Sequence, residues 1–293
     1  MEKHVALGID IGGTHITAAL IDLDNRHLIQ DSIRRQPVNS KGKKEEIINS
    51  WCKVINETFK DVPNQLRYIG IAIPGPFDYE EGISLIKDQD KFRALYDVNI
   101  KNELSACLGI PKDHFYFIND AASFLQGEVY AGAARDKSRV FGLTLGTGLG
   151  SAHCIDFKSV DADLWNEGFL DGIAEDYFST RWFLKRYKEA NGRELTGVKE
   201  LVALLDSDES AQQIFDEFGE NLANFLVPII ELHQTDTVVI GGNISKAFFA
   251  FSQKLMETLK QKHVAVEIAV SKLNELSAII GAASCCEEYY ISK

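Results

Sequence analysis

The chain has 293 residues, of which 45% are hydrophobic and 25% charged, the balance of a folded globular protein too long for one simple core. A formal net charge of −12 speaks against a nucleic-acid partner, because the densest basic run, Lys41, Lys43 and Lys44, leads straight into Glu45 and Glu46 and reads as a solvated helix start. No stretch has the apolar length of a membrane span and none near Met1 resembles a signal peptide, so no membrane partner and a cytoplasmic location are expected.

In chain order, residues 5–22 (VALGIDIGGTHITAALID) read as a strand, a glycine-rich turn and a second strand. Residues 45–59 place Ile48, Trp51, Val54, Ile55 and Phe59 at helical spacing. A short strand over 68–73 ends at Pro74-Gly75-Pro76, and a helix over 102–108 is stopped by Gly109 and Pro111. Residues 115–118 form a strand and 121–131 a helix behind Asn119-Asp120. The opening pattern then returns over 140–156 (VFGLTLGTGLGSAHCID), with Asp10 aligned to Thr144 and Gly12 to Gly146. Residues 158–173 are less regular and 175–187 look helical. Residues 209–232 make a long amphipathic helix with Ile214, Phe215, Phe218, Leu222, Phe225, Leu226 and Ile229 on one face. A strand over 237–240 is broken by Gly241-Gly242, and a helix (246–260), a strand (264–269) and a helix (277–290) follow. Alternating strands and helices make the class α/β. The division is expected near Asp120, giving an N-terminal lobe over 1–120, joined by a returning helix over 275–293, and a C-terminal lobe over 121–274. Five cysteines, Cys52, Cys107, Cys154, Cys285 and Cys286, fit no disulfide or zinc spacing and read as reduced core residues.

Four segments carry chemistry. Asp10-Ile11-Gly12-Gly13-Thr14 follows a strand, and its glycines let backbone N–H groups approach an anion while Asp10 is suited to Mg²⁺, directly or through water. Gly146-Thr147-Gly148-Leu149-Gly150-Ser151 is a second turn of the same kind. Either alone is equally a plain hairpin, but together they are expected to clamp a polyphosphate. Asn119-Asp120 stands at a strand-to-helix junction, where an acid is either an N-cap or a general base that takes the proton of an attacking hydroxyl. Gly241-Gly242-Asn243 ends a buried strand and suits a flat adenosine against the backbone, or is simply a turn.

The order of these motifs resembles the ROK family of bacterial sugar kinases and sugar-responsive repressors, which share the two-lobed actin, hsp70 and hexokinase-like (ribonuclease H-like) ATPase fold. DIGGT (Asp10 to Thr14), LGTGLGS (Leu145 to Ser151) and VVIGGN (Val238 to Asn243) look like the family's two phosphate motifs and its adenosine motif. IPGPFD (Ile73 to Asp78) and NDAASFLQGE (Asn119 to Glu128) match as well. The resemblance implies an ATP- and Mg²⁺-dependent kinase acting on a small sugar at a hexose hydroxyl, by analogy O6. Asp120 is then the catalytic base, and Asn119, Glu175 and Glu167 are sugar ligands. N-acylhexosamine or fructose kinases fit the same pattern, as does a non-catalytic sugar sensor. A transcription regulator needs a DNA-binding segment ahead of the first hairpin, which here begins almost at Met1. Many members carry a Glu-x-Gly-His motif followed by a cysteine-rich zinc loop. Here Glu167-Gly168-Phe169 stands in its place and no Cys-x-Cys follows, so no structural zinc is expected. His153, on the second hairpin, reads as structural rather than as a replacement ligand. Members are often homodimers, and no stretch of this sequence marks an interface.

Overall fold

A computed structural model describes residues 4–60, 62–63, 66–87, 89–287 and 290. The chain folds as two compact units, Met1–Gly132 with Glu275–Lys293, and Ala133–Asn274. Unit 1 begins with β1 (Val5–Ile11), β2 (His15–Asp22), β3 (His27–Leu28), β4 (Arg34–Pro37) and α1 (Lys44–Thr58). It continues with β5 (Ile69–Ala72), β6 (Phe77–Asp78), β7 (Ile83–Ser84), α2 (Ile100–Leu108), β8 (Phe115–Ile118) and α3 (Asp120–Ala131). Unit 2 begins with β9 (Arg139–Leu145), β10 (Leu149–Ile155), β11 (Lys158–Asp161), β12 (Gly168–Phe169), β13 (Gly172–Ile173), α4 (Ala174–Tyr177) and α5 (Thr180–Asn191). It ends with α6 (Val198–Val202), α7 (Glu209–His233), β14 (Thr237–Gly241), α8 (Phe248–Gln261) and β15 (Glu267–Val270), after which α9 (Ser277–Ser284) returns the chain to unit 1. Of the helix expected over 277–290, residues 288 and 289 lie outside the described residues.

The two main sheets share one plan. In unit 1 the order is β3-β2-β1-β5-β8, with β1 antiparallel to β2 and parallel to β5, and β5 parallel to β8. In unit 2 the order is β11-β10-β9-β14-β15, with β9 antiparallel to β10 and parallel to β14, and β14 parallel to β15. Each unit therefore pairs a glycine-turn hairpin with parallel strands whose carboxyl ends lie at one edge, where α/β sheets bind ligands.

In unit 1 one sheet face buries Leu7, Ile9 and Ile11 against Ile47, Ile48, Trp51, Val54 and Ile55 of α1. The other face is built from glycines. A Cβ on Gly8 would lie 2.0 Å from the Ile279 carbonyl oxygen, and one on Gly70 would lie 1.8 Å from that of Ala282. Helix α9 thus rests on β1 and β5 backbone to backbone. It meets α3 the same way, since a Cβ on Gly127 would fall 2.0 Å from the Ser277 oxygen and one on Gly281 would fall 1.9 Å from the Ser123 oxygen. This packing draws α3 into unit 1, so the division falls after Gly132 rather than at Asp120. In unit 2 the apolar face expected of the long helix is buried along α7, where Phe218 packs against Phe178, Phe183 and Phe251.

Cys52 on α1 and Cys107 on α2 bring their sulfurs face to face with Cα atoms 6.6 Å apart, while Cys154, Cys285 and Cys286 are free. The pair stands 55 residues apart in sequence and meets only because α1 packs against α2, which residue spacing could not reveal. Among the described residues no helix is long and apolar enough to cross a membrane.

Candidate active site

Register fixes the first group of residues. Asp10 pairs with Ala72 across β1 and β5, and Ala72 pairs with Ile118 across β5 and β8. Asp10 therefore lies level with Ile118, and Asn119 and Asp120 follow directly. Asn119 is the N-cap of α3, its Oδ1 accepting from the N–H groups of Ala121 (2.8 Å) and Ala122 (3.1 Å). That frees Asp120 from the capping role, and its Oδ1 accepts from the Ala121 N–H at 2.9 Å. Asn119, expected to hold a sugar, spends Oδ1 on the cap and donates Nδ2 to the Tyr79 hydroxyl at 3.3 Å.

The electrostatics set both carboxyls apart. Burial, with the neighbouring Asp120 charge next and Glu275 adding, lifts Asp10 from 3.8 to about 6, against the opposing pull of Arg35. Asp120 presents exposed surface, yet the protein crowded around it still raises its carboxyl, offset by the Ala121 N–H and by the positive charge of Lys91. Repulsion between the two carboxylates is mutual and belongs to the pair. An accessible carboxylate at the carboxyl end of a parallel strand, with an uncommitted oxygen, can take a proton from a bound hydroxyl.

The first glycine turn closes with the Gly12 N–H donating to the His15 oxygen at 2.9 Å, and it leaves Thr14 exposed. A Cβ on Gly13 would meet Lys91 Cδ at 3.2 Å, whereas one on Gly12 would meet only the His15 oxygen at 3.6 Å. The second turn is held from beneath. Glu175 Oε2 accepts from the Leu149 N–H at 3.1 Å and would lie 2.6 Å from a Cβ on Gly148. The Gly146 carbonyl accepts from both the N–H (2.7 Å) and the hydroxyl (3.0 Å) of Thr180. A Cβ on Gly146 would have nothing within 4 Å, and Thr147 is exposed. Gly241 pairs with Thr144, and Gly242, at φ +81°, would push a Cβ to 2.3 Å from the Leu145 oxygen. The Gly241-Gly242-Asn243 break therefore abuts the strand end that carries the second turn, with Asn243 exposed and accepting from Lys246 Nζ at 3.0 Å.

Glu167 and Glu175, thirdly, are brought together by a hairpin. Gly168 pairs with Ile173 and Phe169 with Gly172, and the Glu167 carbonyl accepts from the Ala174 N–H at 2.8 Å. Phe169 plugs this loop against Tyr177, Phe178 and Phe225. Glu167 is exposed, while Glu175 is committed to the turn and to Arg181, 2.8 Å away. His153 stacks on His233 with ring centres 5.1 Å apart, its Nδ1 buried without a partner, and burial followed by the His233 charge lowers its pKa.

For Mg²⁺ the donor set is a hard oxygen ligand, Asp10, at a strand end beside a glycine turn. Mg²⁺ commonly needs one or two carboxylates plus substrate phosphates, so the residues fit. Among the described residues no three His, Cys, Asp or Glu side chains gather into a metal cage. Sequence reasoning missed Lys91, Tyr79, Thr180 and Arg181, which lie outside any glycine motif and are brought in by packing alone.

Paired hairpin-and-parallel sheets with glycine turns at their ends define the α/β ATPase fold of actin and hexokinase. The match to the ROK family spans residues 6–161 and 171–288, and the chain belongs to that family. Glucokinase from Thermotoga maritima is 27% identical, the match covering 98% of this chain and 99% of that one. N-acetylgalactosamine kinase AgaK from Shewanella sp. is 24% identical over 82% of each. Among solved structures, a ROK family glucokinase from Streptomyces griseus in complex with glucose and AMPPNP superposes with a TM-score of 0.75 at 19% identity, covering 97% of this chain and 99% of that one.

Proposed function

We propose that the chain is an ATP-dependent sugar kinase that transfers the γ-phosphoryl group to a hexose hydroxyl, O6 by analogy, with Asp120 as the general base. The observation that carries this reading is the release of Asp120 from helix capping by Asn119, at the strand end it shares with Asp10. The hydroxyl oxygen attacks the γ-phosphorus, its proton passes to Asp120 and ADP leaves. On this reading Asp10, Gly12, Gly13, Thr14, Gly146, Thr147 and Gly148 serve the phosphates, Gly241, Gly242 and Asn243 the adenosine, and Asn119, Glu167 and Glu175 the sugar. Asp10 would hold Mg²⁺, which when bound offsets phosphate charge. The ATP requirement fits a cytoplasmic enzyme.

The test is ATP consumption by the purified protein over a sugar panel that includes glucose, N-acetylhexosamines and fructose, repeated with Asp120→Asn. Loss of a general base costs about 10²–10⁴ in rate, so the variant is expected to fall at least that far with an unchanged melting curve. Turnover in Asp120→Asn close to that of the parent would remove the assigned role. The similarity to AgaK favours one second reading, an N-acetylated hexosamine as acceptor, which the same panel separates. No sugar-stimulated turnover would leave a non-catalytic sensor.

A further inference from the structure

We propose that Lys91 is a catalytic residue whose ammonium contacts the phosphoryl group in transit, a role that rests on the kinase reading above. Lys91 belongs to the irregular stretch between β7 and α2, where no motif draws attention to it. Its position is nonetheless fixed. The next residue, Phe92, is fully buried at φ 60° and ψ 20°, a left-handed conformation that costs a bulky side chain energy and persists only where packing enforces it. The Phe92 N–H donates to the Ser40 oxygen at 2.7 Å and its ring meets Trp51 edge-on at 5.6 Å. This pinned reversal delivers Lys91 to the first glycine turn.

The Lys91 stem then lies across that turn, its Cδ 3.2 Å and its Cβ 3.9 Å from where a Cβ on Gly13 would stand. Glycine at 13 therefore makes room for lysine at 91. Four charged groups bear on the two carboxyls here: Asp120, Arg35 and Glu275 on Asp10, and Lys91 on Asp120. Arg35 is paired with Glu275 at 3.5 Å, whereas Lys91 makes no ion pair among the described residues. Lys91 is thus the uncommitted cation beside the proposed base, and it lowers the Asp120 carboxyl against the effect of burial.

Phosphoryl transfer gathers negative charge on the equatorial oxygens next to a carboxylate, and a fixed cation there is worth most in the transition state. A lysine supplies it as a compact point charge at the end of a long stem, here held across the turn. A lysine that merely packed over the turn would instead affect stability, and methionine would replace it.

The experiment compares Lys91→Met and Lys91→Arg in the full chain. With the best sugar of the panel, Lys91→Met is expected to lower kcat about 10²-fold, with the sugar KM within about threefold and the melting temperature unchanged, and Lys91→Arg is expected to recover part of the loss. A second arm reads contact without turnover. Lysines are dimethylated with ¹³C, the Lys91 signal is assigned by its loss in Lys91→Arg, and AMPPNP with Mg²⁺ is added. The Lys91 signal is expected to shift. Lys91→Met turning over within about twofold of the parent, or a Lys91 signal that AMPPNP leaves in place, overturns the assignment. A parent protein that phosphorylates no sugar instead removes the kinase reading, and the NMR arm still decides whether Lys91 meets the nucleotide.

Discussion

Asp10→Asn is expected to make the protein more stable at neutral pH. Burial and the neighbouring Asp120 raise the Asp10 carboxyl from 3.8 to about 6, so the folded state holds this proton more tightly than the unfolded chain does. Stability contributed by the protonated form is complete below about pH 4 and is lost as pH rises to about 6, above which the cost of the buried charge is constant. A rise of that size corresponds to about 3 kcal/mol, and because Asp10 keeps partial contact with solvent, about 1–2 kcal/mol is the better expectation. Asparagine has nearly the same shape and no charge to lose. Its advantage should be absent at pH 4, open between pH 4 and 6, and level off at a few degrees in melting temperature. Thermal melts of parent and variant in EDTA, at steps from pH 4 to 8, measure it. A variant that melts at or below the parent at pH 7.5, or a difference that ignores pH, would refute the reasoning. Loss of kinase activity in the stabilised variant would mark Asp10 as a residue kept for function at a cost in stability.

The glycines divide into two kinds that substitution should separate. Gly70→Ala drives a methyl to 1.8 Å from the Ala282 oxygen, and destabilisation by about 1–3 kcal/mol or more is expected in denaturant melts, whatever ligand is present. Gly146→Ala meets nothing within 4 Å, so its melting curve should match the parent while calorimetric affinity for AMPPNP falls about tenfold or more if phosphate oxygens approach that backbone. An unaltered affinity would detach the second turn from the nucleotide.

Much of this architecture was legible in the residues. Each glycine-turn hairpin declares itself by an apolar strand, a Gly/Thr run and a second strand, and the seven apolar positions named along α7 are all buried. What was not legible depends on contacts between distant segments. The 158–173 stretch lacks a strong period because its strands β11, β12 and β13 are short, and β12 and β13 are held by their hairpin and by Phe169. Glu175 looked like a free ligand, but its commitment to Leu149 and Arg181 follows from where α4 and α5 begin. Asn119 and Asp120 were read together as site residues, and only the cap geometry separates them. Lys91 owes its position to a left-handed Phe92, which sequence patterning would place last in line for such a conformation.

The returning helix explains why the two carboxylates stand at a fixed separation. Gly8 and Asp10 point to the same side of β1, as alternation along a strand requires, and that side is the one α9 covers at Ile279. Helix α3, which begins at Asp120, lies against α9 through Gly127 and Gly281, and the Ser123 hydroxyl donates to the Ala278 carbonyl at 2.7 Å. Farther along α3, the fully buried Glu128 accepts from the Ser277 hydroxyl at 2.7 Å. One short helix of small residues, SAIIGAAS, therefore sets the depth of β1 and the placement of α3 together. Backbone packed on backbone has no side chain that can change rotamer, so it positions more rigidly than interlocked leucines would. A rigid spacing is what a site needs when one carboxylate must stay near its partner's charge without sharing its proton. The glycines of β1, β5, α3 and α9 would on this account serve the proposed site through packing alone.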